Sequence, residues 1–309
     1  MTFHSEPLEN CLDVLDFFLD DMTAVWEKRT GSEIPTFKDQ TRQKIRDNIG
    51  KSYTGTVFFE SKEPVAISWV EKTSPYYGNI TLHAINPKYY APLAHAMADE
   101  GHFDNAILEV VHVVETDDFK NVFIEKKLTP NFRERMALWL HKEYYYKEEP
   151  SPLDLQFYLM TEDYKEITAR ISHAAHQISQ DYSMNLEMRD LDKRIELENR
   201  AFAGHYGPII QEGSLLVFHN GQPIGYCLVV EVKCWGMDRV PWIFDIVVQP
   251  GFDGQGVGRE LLKKSLNLLT ENDFPIVGLA VTKSNYAKKL YERLGFEFVD
   301  DFYEFIRLL

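Results

Sequence analysis

No apolar run in this chain approaches the roughly 18 residues that a membrane helix needs, so nothing in it reads as a bilayer span. Cysteine is scarce. Cys11, Cys227 and Cys234 make neither an even secretory set nor a CxxC pair, which argues against a disulfide framework and predicts reduced thiols. Positive charge is short as well: Lys and Arg number 33 against 48 Asp and Glu, for a net charge of -15, and no basic cluster stands out. Such a surface repels a phosphate backbone, so nucleic-acid binding is not expected as the main activity, and a cationic or amine partner fits better. The first residues lead into an acidic amphipathic stretch instead of a basic segment and an apolar h-region. No signal peptide is therefore expected, and the cytoplasm is the expected location.

What remains has the composition of an ordinary globular protein, 44% hydrophobic and 26% charged, without low-complexity tracts. At 309 residues the chain exceeds what one core usually organises, which predicts two domains. Their boundary is expected in the charged, proline-containing segment 147–152, giving domains of 1–150 and 151–309.

The second half carries the clearer pattern. Residues 214–219 are apolar, Asn220-Gly221 is a two-residue hairpin turn, and 224–232 return as a strand. A further strand over 240–248 stops at Pro250, after which Val257, Leu261, Leu262, Leu266 and Leu269 recur at helical spacing. Residues 276–281 read as a buried strand, 285–294 as a short helix ended by Gly295, and 296–309 as a closing pair of strands. Upstream, a strand over 155–160 precedes amphipathic helices over 164–178 and 191–203. The first half repeats this order more faintly. It has helices over 8–26 and 37–49, paired strands over 53–59 and 65–70, a strand over 79–85, then a helix and a strand over 107–113. Aligning Pro87 with Pro250 sets an offset of 163 residues, about half the chain, which suggests an internal duplication.

The element that carries chemistry is the stretch Val248-Gln249-Pro250-Gly251-Phe252-Asp253-Gly254-Gln255-Gly256-Val257-Gly258-Arg259. Glycines between a strand and a helix let the backbone approach a ligand, and the unpaired amides at the helix start present donors and a positive dipole to a phosphate. The spacing is not GxGxxG, and no Lys-Ser/Thr follows as a P-loop requires. It does resemble the coenzyme A motif of the GNAT acetyltransferase superfamily, [R/Q]xxGxG or [R/Q]xxGxA, with Gly256 and Gly258 at the two small positions. The segment Asn285-Tyr286-Ala287 through Leu290-Tyr291 to Gly295-Phe296 resembles the family's later NxxAxxLYxxxGF. Two departures stand out. Asp253 occupies the place of the usual Arg or Gln, and the usual Asn aligns with Ser284, with Asn285 one place later.

The resemblance covers about 155–309, with the loop and later motif inside Trp242 to Leu309. It implies an α/β (α+β) chain of two GNAT-like domains, each a mixed, mostly antiparallel sheet flanked by helices. It also implies acetyl-CoA as co-substrate, no metal, and direct acetyl transfer to a primary amine. Ile246, Val247 and Val248 would line the pantetheine arm. Asp253, Gly254, Gln255, Gly256, Val257, Gly258 and Arg259 would cradle the pyrophosphate, and Ser284 or Asn285 would meet the ligand. Tyr291 aligns with the family tyrosine that protonates the departing thiolate, and Asp245 is the candidate base. His173 and His176 sit three apart on a helix but lack a third metal ligand at a recognisable spacing, and Trp235, Trp242, His205 and Tyr206 carry no assigned role. In the first half, Leu93 and His95 replace the small residues and Pro92 removes a donor, so a coenzyme A-free copy is expected there, serving packing or acceptor selection. The alternative is a catalytically silent coenzyme A-sensing or protein-binding module.

Overall fold

The computed structural model describes residues 4–30, 37–72, 77–99, 107–112, 117–143, 145–147, 149, 151–179, 182 and 186–307. The chain divides into two compact units, Met1–Arg133 with Asp301–Leu309, and Glu134–Asp300. The division therefore falls inside two strands, and the segment expected as a linker lies within the second unit. That segment is held there by specific bonds. The Glu149 amide donates to Glu260 at 3.2 Å, Glu149 pairs with Lys263 at 2.6 Å, and just ahead of the segment Tyr146 exchanges backbone hydrogen bonds with the Asn267 amide at 2.9 and 2.8 Å. Glu148 and Pro150 lie outside the described residues.

The first unit contains β1 (His4–Pro7), α1 (Leu15–Thr30), α2 (Phe37–Asn48), β2 (Tyr53–Glu60), β3 (Glu63–Lys72), β4 (Tyr77–Ala84), α3 (Tyr90–Asp99), β5 (Ile107–His112) and α4 (Asp117–Glu125). β6 (Thr129–Trp139) begins in this unit and β12 (Glu297–Ile306) ends in it. The strands run β1-β2-β3-β4-β5-β12, antiparallel except for the parallel pair β4–β5. Alternation along β3 serves two cores: Ile67 and Trp69 pack with Leu15, Phe18 and Met22 of α1, while Ala66 and Val70 pack with Tyr90, Leu93 and Met97 of α3. A strand covered on both faces reads as a continuous apolar run, and β3 is buried without a break from Val65 to Val70. The helix expected over 8–26 is shortened. Pro7 belongs to the edge strand β1, Leu8–Asn10 form a single 3-10 turn, and α1 starts only at Leu15.

The second unit holds β7 (Leu155–Leu159), α5 (Lys165–His176), α6 (Leu186–Arg189), α7 (Leu191–Phe202), β8 (Leu215–His219), β9 (Gln222–Cys234), β10 (Met237–Val248), α8 (Val257–Glu271), β11 (Ile276–Thr282) and α9 (Lys288–Arg293). The strands follow the order β7-β8-β9-β10-β11, with only β10–β11 parallel and α8 as the crossover between them. Asn220 and Gly221 both have positive φ, 51° and 75°, as the two-residue turn between β8 and β9 demands. The helical stripe of α8 is fully buried: Leu261, Leu262, Leu266 and Leu269 are each 0% exposed, and each contributes about 1.5–3 kcal/mol by leaving water. Where the sequence predicts a closing pair of strands, one strand, β12, runs unbroken from Glu297 to Ile306. Its acidic residues suit a turn by composition, but they are satisfied within the strand. In the second unit Arg135 donates to Asp300 at 3.0 Å, and in the first Asn131 and Arg133 donate to Glu304 at 3.0 and 3.2 Å.

Candidate active site

The sheet of the second unit opens at β10. This strand pairs with β11 only at Trp242↔Gly278 and Ile243↔Leu279. On its other side, the register with β9 slips between Ile243↔Val229 and Asp245↔Leu228, which leaves Phe244 as the extra residue of a β-bulge. Side chains record the slip. Ile243 and Ile246 pack on the side of α8 and α9, while the consecutive residues Phe244 and Asp245 both face α5 and α7. From Asp245 to Val248 the backbone edge toward β11 is therefore free of sheet partners, which is where a ligand could pair with it.

Below that opening lies the glycine loop. Gly251, Gly254 and Gly256 have φ of 94°, 71° and 85°, a region that favours glycine. Gly256 is the N-cap of α8 and offers no side-chain cap; the Glu260 amide makes the bond to the Gly256 carbonyl at 3.0 Å. The amides of Val257, Gly258 and Arg259 thus form the donor end of the helix dipole. An added Cβ at Gly251 or Gly254 would meet nothing within 4 Å, whereas one at Gly258 would lie 3.4 Å from Val248 Cγ2. The loop is open toward solvent and the helix start is close to the end of β10. Backbone donors at a helix start are of the kind that suit a phosphate group.

The side chains of the loop are mostly committed elsewhere. Gln255 folds back onto the Gly251 carbonyl at 2.9 Å, Arg259 pairs with Glu149 at 2.9 Å and Glu260 at 3.1 Å, and Val257 is 1% exposed in the core. Asp253 is exposed. Ile246, Val248, Val257, Ala287, Leu290 and Tyr291 belong to one apolar cluster, so β10, the loop and α9 converge. Tyr291 is 7% exposed, with its ring 5.8 Å from that of Phe296. Of the two residues considered for the turn before α9, Asn285 closes that turn by accepting from the Ala287 amide at 2.9 Å, the N-cap itself being Ala287 without a side-chain cap, and Ser284 is exposed. Val247 packs on the opposite face, beside Tyr226 and Phe244.

Asp245 sits in a buried polar cluster. Its Oδ2 accepts from Tyr226 at 2.6 Å, from Arg194 at 2.7 Å and from Ser172 at 3.1 Å. Arg194 also donates to Glu198 Oε1 at 2.7 Å, as does the Tyr226 hydroxyl at 3.1 Å. Burial pushes the Asp245 carboxyl up, but the Arg194 charge, the nearby His176 and the hydrogen bonds from Tyr226 and Ser172 outweigh it and hold the group below its ordinary value. Glu198 goes the other way: burial, reinforced by the Asp245 charge, prevails over Arg194 and raises it. The two carboxylates around one guanidinium are thereby pushed apart. Tyr226, fully buried, is raised well above the ordinary phenol.

Arg194, Glu198, Tyr226, Ser172 and His176 were not among the residues expected at the site. The sequence holds one sign of them, since Arg194 and Glu198 share the buried stripe of α7 with Leu197 and Ala201. Two charges one turn apart on an apolar face call for a buried partner. His176 Nδ1 lies 2.8 Å from the Ser172 carbonyl, and His173 Nε2 lies 3.3 Å from that of Arg189. Tyr206 stacks on Phe244 at 4.9 Å, and Trp235 and Trp242 lie 5.7 Å apart over Gly278.

A mixed sheet split beside a bulge, with an uncapped helix N-terminus at the foot of the split, leaves a backbone edge and a set of helix-start amides open to a ligand. Residues 175–296 match the model of the Acetyltransferase (GNAT) family, and the second unit accordingly carries a GNAT domain. The chain is 34% identical over 87 residues to the [Ribosomal protein bS18]-alanine N-acetyltransferase of Haemophilus influenzae, a match covering 28% of this chain and 56% of that protein. It is 25% identical over 123 residues to a Bacillus subtilis protein named as a putative enzyme of the same kind, covering 37% of this chain and 78% of the other. Among solved structures, the fold matches a GCN5-related N-acetyltransferase from Sphaerobacter thermophilus with a TM-score of 0.60 at 13% identity, over 99% of this chain and 95% of that one. A tandem GNAT protein from the clavulanic acid biosynthesis pathway matches with a TM-score of 0.54 at 13% identity, over 99% and 98%. The GNAT-like fold thus extends through both units.

Proposed function

We propose that this protein transfers an acetyl group from acetyl-CoA to a primary amine, with the second unit as the catalytic one. The separation of β10 from β11 at the Phe244 bulge, just above the uncapped start of α8, is the observation that carries this reading. Acetyl-CoA would supply an activated acetyl thioester. The amides of Gly256 to Arg259 would hold its phosphates, with Gly254, Gln255 and Asp253 forming the outer rim of the loop. The free backbone of Ile246 to Val248 would pair with the pantetheine arm, and Asn285, more than Ser284, shapes the turn beside it. Tyr291 would donate the proton that the leaving thiolate needs.

Asp245 serves better as a counter-charge than as a store for a proton, because its neighbours stabilise the ionised form. It would draw the acceptor's ammonium to the split, and the proton would leave through water. That arrangement suits an α-amine, which at pKa about 7.7–8.0 is roughly a seventh neutral at pH 7, far better than a lysine side chain near 10.4. The resemblance to alanine N-acetyltransferases points the same way, so peptides with an N-terminal alanine head the acceptor panel. Free, unpaired Cys11, Cys227 and Cys234 support a reducing compartment, and we assign the protein to the cytoplasm. No helix among the described residues is long and apolar enough to cross a membrane.

The test is calorimetry with acetyl-CoA followed by thiol release over the acceptor panel. Release that depends on an amine, with kcat/KM rising through the acceptor's own pKa, is the expected result. Tight acetyl-CoA binding without release for any amine would favour a coenzyme A sensor instead.

A further inference from the structure

The first unit has a cavity that the acetyl-transfer reading does not use. It occupies about 220 Å³ between α1, α2 and the strands β2, β3 and β4. Part of its wall is apolar and aromatic, from Met22, Phe37, Ile45, Tyr53 and Trp69, of which Tyr53 is 3% exposed and Trp69 6%. Polar residues also line it: Thr41, Thr81 and a group of three, Glu71, Asn79 and Lys44.

Their arrangement is that of a cation site. The Glu71 carboxylate is bonded to the Tyr53 hydroxyl and accepts from Lys44 Nζ at 3.0 Å. The same Nζ stands 5.7 Å from the centroid of the Tyr53 ring, within reach of a cation–π interaction. Asn79 Oδ1 is buried and has no hydrogen-bond partner, which a native fold seldom leaves unexplained. Lys44 itself is 58% exposed, so its ammonium reaches in from solvent and can swing away.

We infer that the first unit binds a small molecule carrying a primary ammonium on an apolar body. Its ammonium would take the place that Lys44 now fills, between Glu71 and the Tyr53 face, and would donate to the orphaned Asn79 Oδ1. The body would lie against Trp69 and Met22. This inference stands on the first unit alone and does not depend on catalysis in the second.

Calorimetric titration of the full chain with 2-phenylethylamine, against its neutral counterpart 2-phenylethanol, tests it. The amine should bind about tenfold more tightly than the alcohol, and Glu71→Gln or Asn79→Leu should remove about that factor. Lys44→Met carries the sharper outcome. It alters an exposed side chain and takes away the competing ammonium, so affinity for the amine should rise about threefold to tenfold. A merely destabilised fold would not give that gain, and neither would binding at the acceptor site of the second unit. Equal affinity for amine and alcohol, or no tightening in Lys44→Met, would overturn the proposal.

Discussion

The two units run through a similar order of elements and part company at one pair of strands. In the first unit, β4 and β5 stay paired over six described positions, from Tyr77↔Ile107 to Leu82↔His112, and β4 keeps an unbroken register with β3. In the second, β10 slips against β9 at Phe244 and leaves β11 after two pairs. The connectors differ in the same sense. After β4 comes a 3-10 turn, Pro87–Tyr89, capped by the Asn86 side chain, and then α3, whose Tyr90 and Leu93 are 0% and 1% exposed. After β10 comes a loop with glycines at positive φ and an uncapped helix. A sheet that zips shut satisfies its own backbone. One that is interrupted leaves donors and acceptors open, so the proposed acetyl-CoA binding would rest on the bulge and the glycines more than on the fold the units share.

The comparison can be broken most forcefully at Asp245. Asp245→Asn leaves the Arg194 guanidinium with Glu198 alone and should cost about 3 kcal/mol in a denaturant melt, the low end for a broken buried pair. Because the folded-state value of Asp245 is depressed, its contribution is complete above the unfolded-state value of about 3.9 and fades as pH falls through the lower folded-state value. Wild type and variant should converge in strong acid. Leu93→Ala, in α3 of the first unit at the position that aligns with Gly256, should cost a similar amount, about 2–5 kcal/mol, by opening a cavity. Its acetyl-CoA affinity should not change.

Gly258→Leu should do the opposite: it places a side chain against Val248 at the mouth of the split and should weaken acetyl-CoA about 100-fold, near 2.7 kcal/mol, with a smaller loss of stability. Tyr291→Phe should lower kcat by about 100-fold, as expected when a proton donor is removed, with acetyl-CoA affinity unchanged in calorimetry. Unaltered turnover would take Tyr291 out of the mechanism. The smallest effect belongs to Asp253→Arg. Replacing an exposed anion at the rim of a phosphate cradle should tighten acetyl-CoA only about threefold to fivefold, in keeping with exposed charge pairs, and the gain should shrink with added salt.

Much of this contrast can be read from residue types. The Asn220-Gly221 turn, the helical stripe of α8 and the glycines at 254, 256 and 258 are local signals, and so are Pro92 and Leu93, which stand at the places of Gln255 and Gly256. The bulge is not legible, since Phe244 is an ordinary strand residue and the slip arises from how β10 lies against β9 and β11. The surroundings of Asp245 are equally hidden, because Ser172, Arg194 and Tyr226 reach it from three elements far apart in sequence. The ends of the units are obscured by charge: Asp300 looks like a turn residue until Arg135 is placed beside it.

Titrating acetyl-CoA into the full chain in a calorimeter tests the central claim most directly. The account predicts one molecule bound per chain, with the binding heat lost in Gly258→Leu and kept in Leu93→Ala. Two molecules per chain, or binding that survives Gly258→Leu and disappears in a folded Leu93→Ala, would contradict it.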